Sequence, residues 1–227
     1  MKPIASTRHT LILLAILAGV AVLGAMNRVG SAAPAGSHVP LYLSLLVSEW
    51  LLFRYALVGL KRAGTPFSEI VGEGWRSPRA WLIALGIGAV AWLGLGVLDT
   101  GLKHLISAAG LPVVADNART TAAVRPHGAL ETFLWVLLSI SAGVCEEFVF
   151  RGYLLRQFSA WFGGRGWGLV ASSIVFGIGH AYQGLAPVLL IIGLGFGFGA
   201  VALLTRRLAP GMAGHAIMDI VAGLTGA

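Results

Sequence analysis

Long apolar runs are the feature that most constrains how this chain folds. Several of them, beginning with TLILLAILAGVAVLGAM at residues 10–26, reach the roughly 17 to 25 residues that a helix needs to cross a bilayer. Only 11% of the 227 residues are charged, whereas soluble domains carry about 25%. The mean hydropathy is correspondingly high, at +0.84. The sequence therefore predicts an all-α, polytopic transmembrane helix bundle that is integral to a membrane.

About seven spans are predicted, at residues 10–26, 39–60, 79–99, 129–158, 167–183, 185–205 and 208–226. Residues 61–78 form a predicted polar loop, and residues 100–128 have mixed character with room for a short interfacial helix. The small residues SAAPA at 31–35 offer cleavage sites for a signal peptidase, but we interpret the first span as a retained anchor.

The basic residues indicate the orientation of the chain. With seven spans and the N-terminus inside, the inside segments carry ten of the sixteen Lys and Arg residues and the outside segments carry four. Because cytoplasmic loops are enriched in Lys and Arg, the N-terminus is predicted inside and the C-terminus outside. The net charge of +7 is thereby explained by basic residues in the loops that set the membrane orientation, and no nucleic acid is expected as a partner. The single cysteine, Cys145, excludes an intramolecular disulfide and a multi-cysteine metal site.

Ionisable residues nevertheless fall inside the predicted spans: Glu49, Arg54, Glu146, Glu147, Arg151, His180, His215 and Asp219. A charge at the bilayer centre costs about 3 kcal/mol or more, so each such residue suggests a function. Glu147 and Arg151 are four residues apart and are expected to pair on one helix face. Glu146 is turned about 100° from Glu147 and is expected to face a different neighbour.

The same four-residue spacing relates His215 to Asp219 and Phe176 to His180. The ionisable residues of three helices also lie at similar depths in the membrane. Glu146 lies ~18 Å and His180 ~20 Å from the predicted inner ends of their spans. His215 and Asp219 lie ~10 and ~16 Å from theirs. These similar depths predict one buried polar site.

Such a site has the groups that peptide hydrolysis needs. A carboxylate near a histidine can take a proton from water, and burial makes the carboxylate a better base. A second histidine can donate a hydrogen bond to the oxyanion that forms when water attacks an amide carbonyl. A structural ion-pair cluster that braces the helices remains an alternative interpretation.

Three short motifs carry a resemblance to a known family. EEFVFR at 146–151 matches EExxxR, FGIGH at 176–180 matches FxxxH, and HAIMD at 215–219 matches HxxxN/D. In order and placement they resemble the CPBP family of intramembrane proteases, which includes CAAX prenyl endopeptidases of the Rce1 type and bacterial Abi-like proteins. The resemblance covers residues 129–227, which it marks as a catalytic core of four helices. Residues 1–128 are then an N-terminal transmembrane region.

The resemblance implies roles for the motif residues. Glu146 would be the general base that activates water, assisted by His180. Glu147 and Arg151, with Phe176, would support the site. His215 and residue 219 would polarise the scissile carbonyl or stabilise the oxyanion.

Residue 219 is Asp, where eukaryotic CAAX proteases resemble one another in having Asn. An ionised Asp cannot donate a hydrogen bond to an oxyanion. We therefore expect Asp219 to orient His215 and His215 to donate; protonated Asp219 would restore a donor.

The resemblance implies a prokaryotic plasma-membrane endopeptidase that needs no cofactor. Its partners would be the lipid bilayer and a membrane-associated protein or peptide substrate. A zinc protease stays open as an alternative, since Glu146, His180 and His215 supply two His and one carboxylate. A proton-coupled transporter and a scaffold without catalytic activity are further alternatives.

Three other features are interpreted as structural. Cys145 is discounted as a nucleophile because a free cysteine is a common buried apolar residue. The glycines of GLGFGFG, residues 193–199, are assigned to close helix packing rather than to a nucleotide loop. The remaining histidines are assigned to loops: His9, His38, His104 and His127.

Overall fold

The backbone is helical almost throughout, as expected where lipid offers the peptide groups no hydrogen-bond partners. A computed structural model describes residues 2–26, 36–72 and 77–226 of the chain. No β-strand occurs within these ranges. The all-α prediction is confirmed.

The longer helices in chain order are α1 (Thr7–Met26), α2 (Val39–Arg62), α4 (Pro78–Ala108), α6 (Gly128–Glu146), α8 (Arg165–Gly179), α9 (Leu185–Thr205) and α10 (Ala209–Thr225). Between them lie the short helices α3 (Phe67–Val71), α5 (Val113–Val124) and α7 (Leu155–Trp161). A π-helical segment, Glu147–Leu154, joins α6 to α7, and a 3₁₀ turn, Ala181–Gln183, follows α8.

Five helical stretches of the described chain are long and apolar enough to cross a membrane: Thr7–Met26, Val39–Arg62, Pro78–Ala108, Gly128–Trp161 and Leu185–Thr205. The chain is thus an integral membrane protein. The expectation of seven spans is not confirmed, because the shorter helices α8, with 15 residues, and α10, with 17, are not among these five. The predicted polar loop at 61–78 is also not wholly irregular, since it contains α3.

Helix α10 packs closely against α4 and α6 because glycines line the contacts. A Cβ atom on Gly143 of α6 would lie 2.5 Å from the carbonyl oxygen of Met212. A Cβ atom on Gly88 of α4 would lie 2.9 Å from the carbonyl oxygen of Pro210. Small residues of this kind let transmembrane helix backbones approach one another. The glycines therefore set how near α10 comes to the end of α6.

The glycines at 193–199 serve the same purpose on α9. A Cβ atom on Gly195 would lie 3.1 Å from the Cβ atom of Ser173 on α8. Cβ atoms on Gly193 and Gly197 would overlap the side chains of Leu102 and Leu95, both on α4. The prediction that this segment is a packing surface is confirmed.

Helix α1 joins the same hydrophobic core as the π-helical segment. Leu13 and Leu17 of α1 are buried with Phe148 and Tyr153. The Oε1 atom of Gln157 accepts hydrogen bonds from the backbone N–H groups of residues 4 and 5, at 2.9 and 3.2 Å. The N-terminal region is therefore attached by specific polar contacts as well as by apolar packing.

Candidate active site

The site forms where α6 gives way to the π-helical segment. This segment, EFVFRGYL, is buried at every residue, and it begins at Glu147, directly after Glu146. Single π turns inside α-helices are rare and frequently occur at functional sites. The sequence predicts one uniform span at residues 129–158, so the change of helix type is a finding of the structure.

Glu147 and Arg151 pair within this segment, as their spacing predicts. The Oε1 atom of Glu147 lies 3.1 Å from Nη1 of Arg151, and both side chains are almost fully buried. The guanidinium carbon of Arg151 also lies 4.1 Å from the ring centroid of Phe176 and 5.4 Å from that of Phe198. The pair neutralises two buried charges, and the aromatic rings further stabilise the cation.

The imidazole of His215, on α10, lies between the two adjacent carboxylates. Its Nδ1 atom is 3.1 Å from Oε1 of Glu147, and its Nε2 atom is 3.8 Å from Oε2 of Glu146. The expectation that Glu146 and Glu147 face different neighbours holds for the ion pair with Arg151, which Glu147 makes, but not for His215, which both carboxylates approach. The physical reason is that an imidazole has a nitrogen on either side of the ring, so one residue of α10 reaches both carboxylates.

Glu147 is the closest carboxylate to His215. Asp219 approaches from the other side, with Oδ2 at 3.6 Å from Nε2, which is longer than a normal hydrogen bond. Nδ1–H of His215 donates to Glu147, a contact that fixes the ring and its tautomer. Phe198 stacks on the same ring at 4.9 Å between centroids. The hydrogen bond to Glu147 and the stacking by Phe198 thus hold His215 in one orientation.

His180 directly follows the last turn of α8. Its Nδ1–H donates to the carbonyl oxygen of Phe176 at 2.9 Å, which leaves Nε2 available to accept a hydrogen bond. The two rings meet edge to face at 4.9 Å. In the described part of the chain, no direct hydrogen bond joins His180 to Glu146.

Glu146 is the least constrained of the motif carboxylates near α6. Its side chain is 23% exposed, and its Oε2 atom has no hydrogen-bond partner among residues 2–26, 36–72 and 77–226. The same is true of Oε2 of Glu49, on α2. Glu49 is close enough to Glu146, Asp219 and His215 to interact with all three electrostatically. A carboxyl group from the N-terminal region therefore joins the C-terminal motifs.

Helix α2 is held at this position by contacts of two residues that follow Glu49 in the sequence. The indole N–H of Trp50 donates to Oγ of Ser141 at 3.1 Å. One turn later, the ring of Phe53 lies 4.4 Å from that of Phe148. The sequence signal for Glu49 was its place in an apolar span, but its helix face could not be matched to a partner without the fold.

The described residues contain no group of three or more His, Cys, Asp and Glu side chains arranged to hold a metal ion. The zinc alternative needs Glu146, His180 and His215 to converge on one point. Cys145, next to the carboxylates, is 1% exposed and belongs to the buried core.

The histidines assigned to loops lie in or at the ends of helices. His9 is inside α1, where it stacks on Tyr55 at 4.1 Å, and His104 is inside α4. His38 and His127 precede α2 and α6, and their backbone N–H groups both donate to Glu131, at 2.8 Å each. Glu131 thereby links the beginnings of two helices, a role that the sequence analysis missed.

Comparison with protein families gives one match. The family model described as type II CAAX prenyl endopeptidase Rce1-like matches residues 128–221, a range that contains all three motifs. Comparison with curated proteins and with solved structures gives no match. The resemblance inferred from the motifs is confirmed by this match, in which residues 128–221 are similar to the Rce1-like type II CAAX prenyl endopeptidases.

Proposed function

We propose that this protein is a glutamic-type intramembrane endopeptidase that hydrolyses a peptide bond of a membrane-associated protein or peptide. The observation that carries the proposal is the arrangement around His215. A buried Glu147 holds its Nδ1 atom, while the more exposed Glu146, whose Oε2 atom has no hydrogen-bond partner among the described residues, lies 3.8 Å from its Nε2 atom. The family match supports protease activity in general.

In the proposed reaction, Glu146 accepts a proton from water while the water oxygen bonds to the carbonyl carbon. His180, with Nε2 free, accepts a hydrogen bond from the same water and orients it. The carbonyl electron pair moves to oxygen, which becomes an oxyanion. The C–N bond then breaks, and Glu146 returns the proton to the leaving amine.

His215 would stabilise the oxyanion through Nε2–H. With Nδ1–H donating to Glu147, a proton on Nε2 makes the ring an imidazolium, and the Glu147 carboxylate stabilises that charge. Asp219, 3.6 Å from Nε2, adds a second negative charge that favours the protonated ring. The oxyanion and the imidazolium then form a charge-assisted hydrogen bond.

The test compares native cells that express the wild type with cells that express Glu146→Gln at a matched level. New protein N- and C-termini are profiled by mass spectrometry in both. Asp99→Asn is the matched control, since it makes the same acid-to-amide change at a residue paired with Lys103. Termini that disappear with Glu146→Gln, but not with Asp99→Asn, nominate the substrate, and the purified protein in proteoliposomes must then cleave it.

Termini that stay the same in all three strains would contradict the proposal. Proton-coupled solute uptake in proteoliposomes would then support a transporter. A cellular phenotype that persists with Glu146→Gln would support a scaffold.

A further inference from the structure

A separate cavity of 470 Å³ lies at the end of the bundle where α7, α8 and α9 have their basic residues. Its cationic lining residues are Lys2, Arg151, Arg156, Arg165, Arg206 and Arg207. Glu69 contributes a carboxylate to the same lining. Positive charge that converges on one concave surface concentrates anions there.

Five of these six cations form no ion pair with a carboxylate among the described residues. Arg151, at the buried side of the cavity, has its charge satisfied by Glu147. In the described ranges, the other five have no carboxylate oxygen within 4.0 Å. The surplus of positive charge therefore faces the cavity rather than an internal partner.

The turn that carries two of the arginines has a fixed conformation. Arg206 ends α9 in the left-handed region, with φ of 56°. The Oγ1 atom of Thr205 accepts a hydrogen bond from the N–H group of Arg207 at 3.3 Å. The N–H group of Leu208 donates to the carbonyl oxygen of Val71 at 3.1 Å, which ties the turn to α3. The site is therefore formed before any ligand binds.

Arg156 is also held by the backbone of α3. Its Nη2 atom donates to the carbonyl oxygen of Ile70 at 3.3 Å, so its remaining N–H groups are available to a ligand. The planar guanidinium group donates two parallel hydrogen bonds to phosphate oxygens, and arginine is accordingly preferred at phosphate sites. Five of the six cations in this lining are arginines.

The rest of the lining is apolar, with Ile4, Leu155 and Leu203 among its members. Five of the six cations, all except the buried Arg151, belong to the end of the bundle that the positive-inside rule predicts to be cytoplasmic. Basic pockets between transmembrane helices on that side bind phospholipid head groups. We propose that this cavity binds a phosphate-bearing anion, and that its apolar wall favours the head group of an anionic phospholipid over a free phosphate. This proposal does not depend on the protease activity.

The test uses the full-length protein, purified in detergent and stripped of lipid. The probes are short-chain phosphatidylglycerol, short-chain phosphatidylcholine, and inorganic phosphate and pyrophosphate. The binding readouts are the shift in thermal unfolding temperature on titration and native mass spectrometry of retained lipid. The cavity variant is Arg206→Gln/Arg207→Gln. The control is Lys61→Gln/Arg62→Gln, which removes the same charge from the same predicted face but outside the cavity.

Phosphatidylglycerol is expected to stabilise the wild type and the control, and phosphatidylcholine to do so much less. The apparent affinity of the cavity variant for phosphatidylglycerol should be about 30-fold lower than that of the wild type, because the variant lacks two cations that each act on the head group. If the double variant does not fold, Arg165→Gln serves instead, because Arg165 is exposed at the start of α8. Stabilisation by phosphate or pyrophosphate alone, lost in the cavity variant, identifies a free anion as the ligand. Equal weakening in cavity and control variants, or no stabilisation of the wild type, overturns the proposal.

Discussion

The Oε1 atom of Glu147 lies 3.1 Å from Nη1 of Arg151 and also 3.1 Å from Nδ1 of His215. One oxygen of Glu147 thus contacts both Arg151, within the first motif, and His215, in the third motif. Because Arg151 in turn packs on Phe176 of the second motif, the three motifs form one contiguous group of contacts. Glu147 is therefore expected to govern both the stability of the bundle and the orientation of His215.

Replacing Glu147 by Gln should destabilise the protein strongly. The change removes the charge partner of a buried Arg151, a loss that costs about 3–5 kcal/mol of unfolding free energy. Equilibrium unfolding in detergent micelles measures it. The double variant Glu147→Gln/Arg151→Met should cost less than the sum of the single variants, because no unpaired charge remains. Additive costs would show that the two side chains are not coupled.

Replacing Glu146 by Gln should abolish turnover but leave the stability of the protein nearly unchanged. This side chain is 23% exposed, and its Oε2 atom has no hydrogen-bond partner among the described residues, so the unfolding free energy should change by only about 0.5 kcal/mol. Turnover of the nominated substrate should be lost, since an amide does not accept the proton. A folded, fully active Glu146→Gln protein would remove Glu146 from the mechanism.

Replacing Cys145 by Ala should leave peptide hydrolysis within a few-fold of wild type. The thiol is 1% exposed and packs in the core, where it lacks access to a substrate carbonyl. The measurement is the rate of cleavage by the purified variant, alongside the rate of the wild type after treatment with a thiol-alkylating reagent. Loss of activity in a well-folded Cys145→Ala protein would indicate that Cys145 takes part in the reaction as a nucleophile.

Replacing Gly143 by Val should push α10 away from α6. Even the Cβ atom would lie 2.5 Å from the carbonyl oxygen of Met212, so His215 must move relative to Glu146. Activity and thermal stability should both fall, activity by about 100-fold for a displacement near 1 Å. Gly86→Val on α4 is the matched control, because a Cβ atom there meets nothing within 4 Å. Similar losses in the two variants would indicate a general effect of valine on the helices.

Chelation separates the glutamic proposal from the zinc alternative. Under the glutamic proposal, the purified protein keeps its activity after dialysis against a chelator, and elemental analysis finds far less than one metal ion per chain. Under the zinc alternative, activity falls on dialysis and returns when zinc is added. The two outcomes are exclusive, and the measurement needs no variant.

The sequence predicted what local spacing determines. Four residues separate Glu147 from Arg151, and that distance along a helix produces the ion pair even though the helix is of the π type. The helical class of the fold followed from the apolar runs for the same local reason. The glycines at 193–199 were also interpreted correctly, because small residues in an apolar span have few other uses.

Contacts between distant segments could not be predicted in this way. The hydrogen bond from His215 to Glu147 depends on how α10 is rotated against α6. The contacts of α10 with Gly88 on α4 and Gly143 on α6 determine that rotation. The stacking of His9 on Tyr55 and the link from Glu131 to His38 depend equally on long-range packing. Local spacing offered Asp219 as the partner of His215 because Asp219 is near in sequence, whereas the nearest carboxylate in space is 68 residues away.

The glycine-lined contacts of α10 have a consequence for how this site can change over time. Glycine is the smallest residue, so every mutation at Gly88 or Gly143 adds atoms and none removes them. Mutations at these two positions can therefore change the separation between Glu146 and His215 in one direction only, towards a wider site. Selection for a tighter catalytic geometry, whether in nature or in the laboratory, must act elsewhere, on the side chains of the reacting residues or on the π-helical turn that presents them.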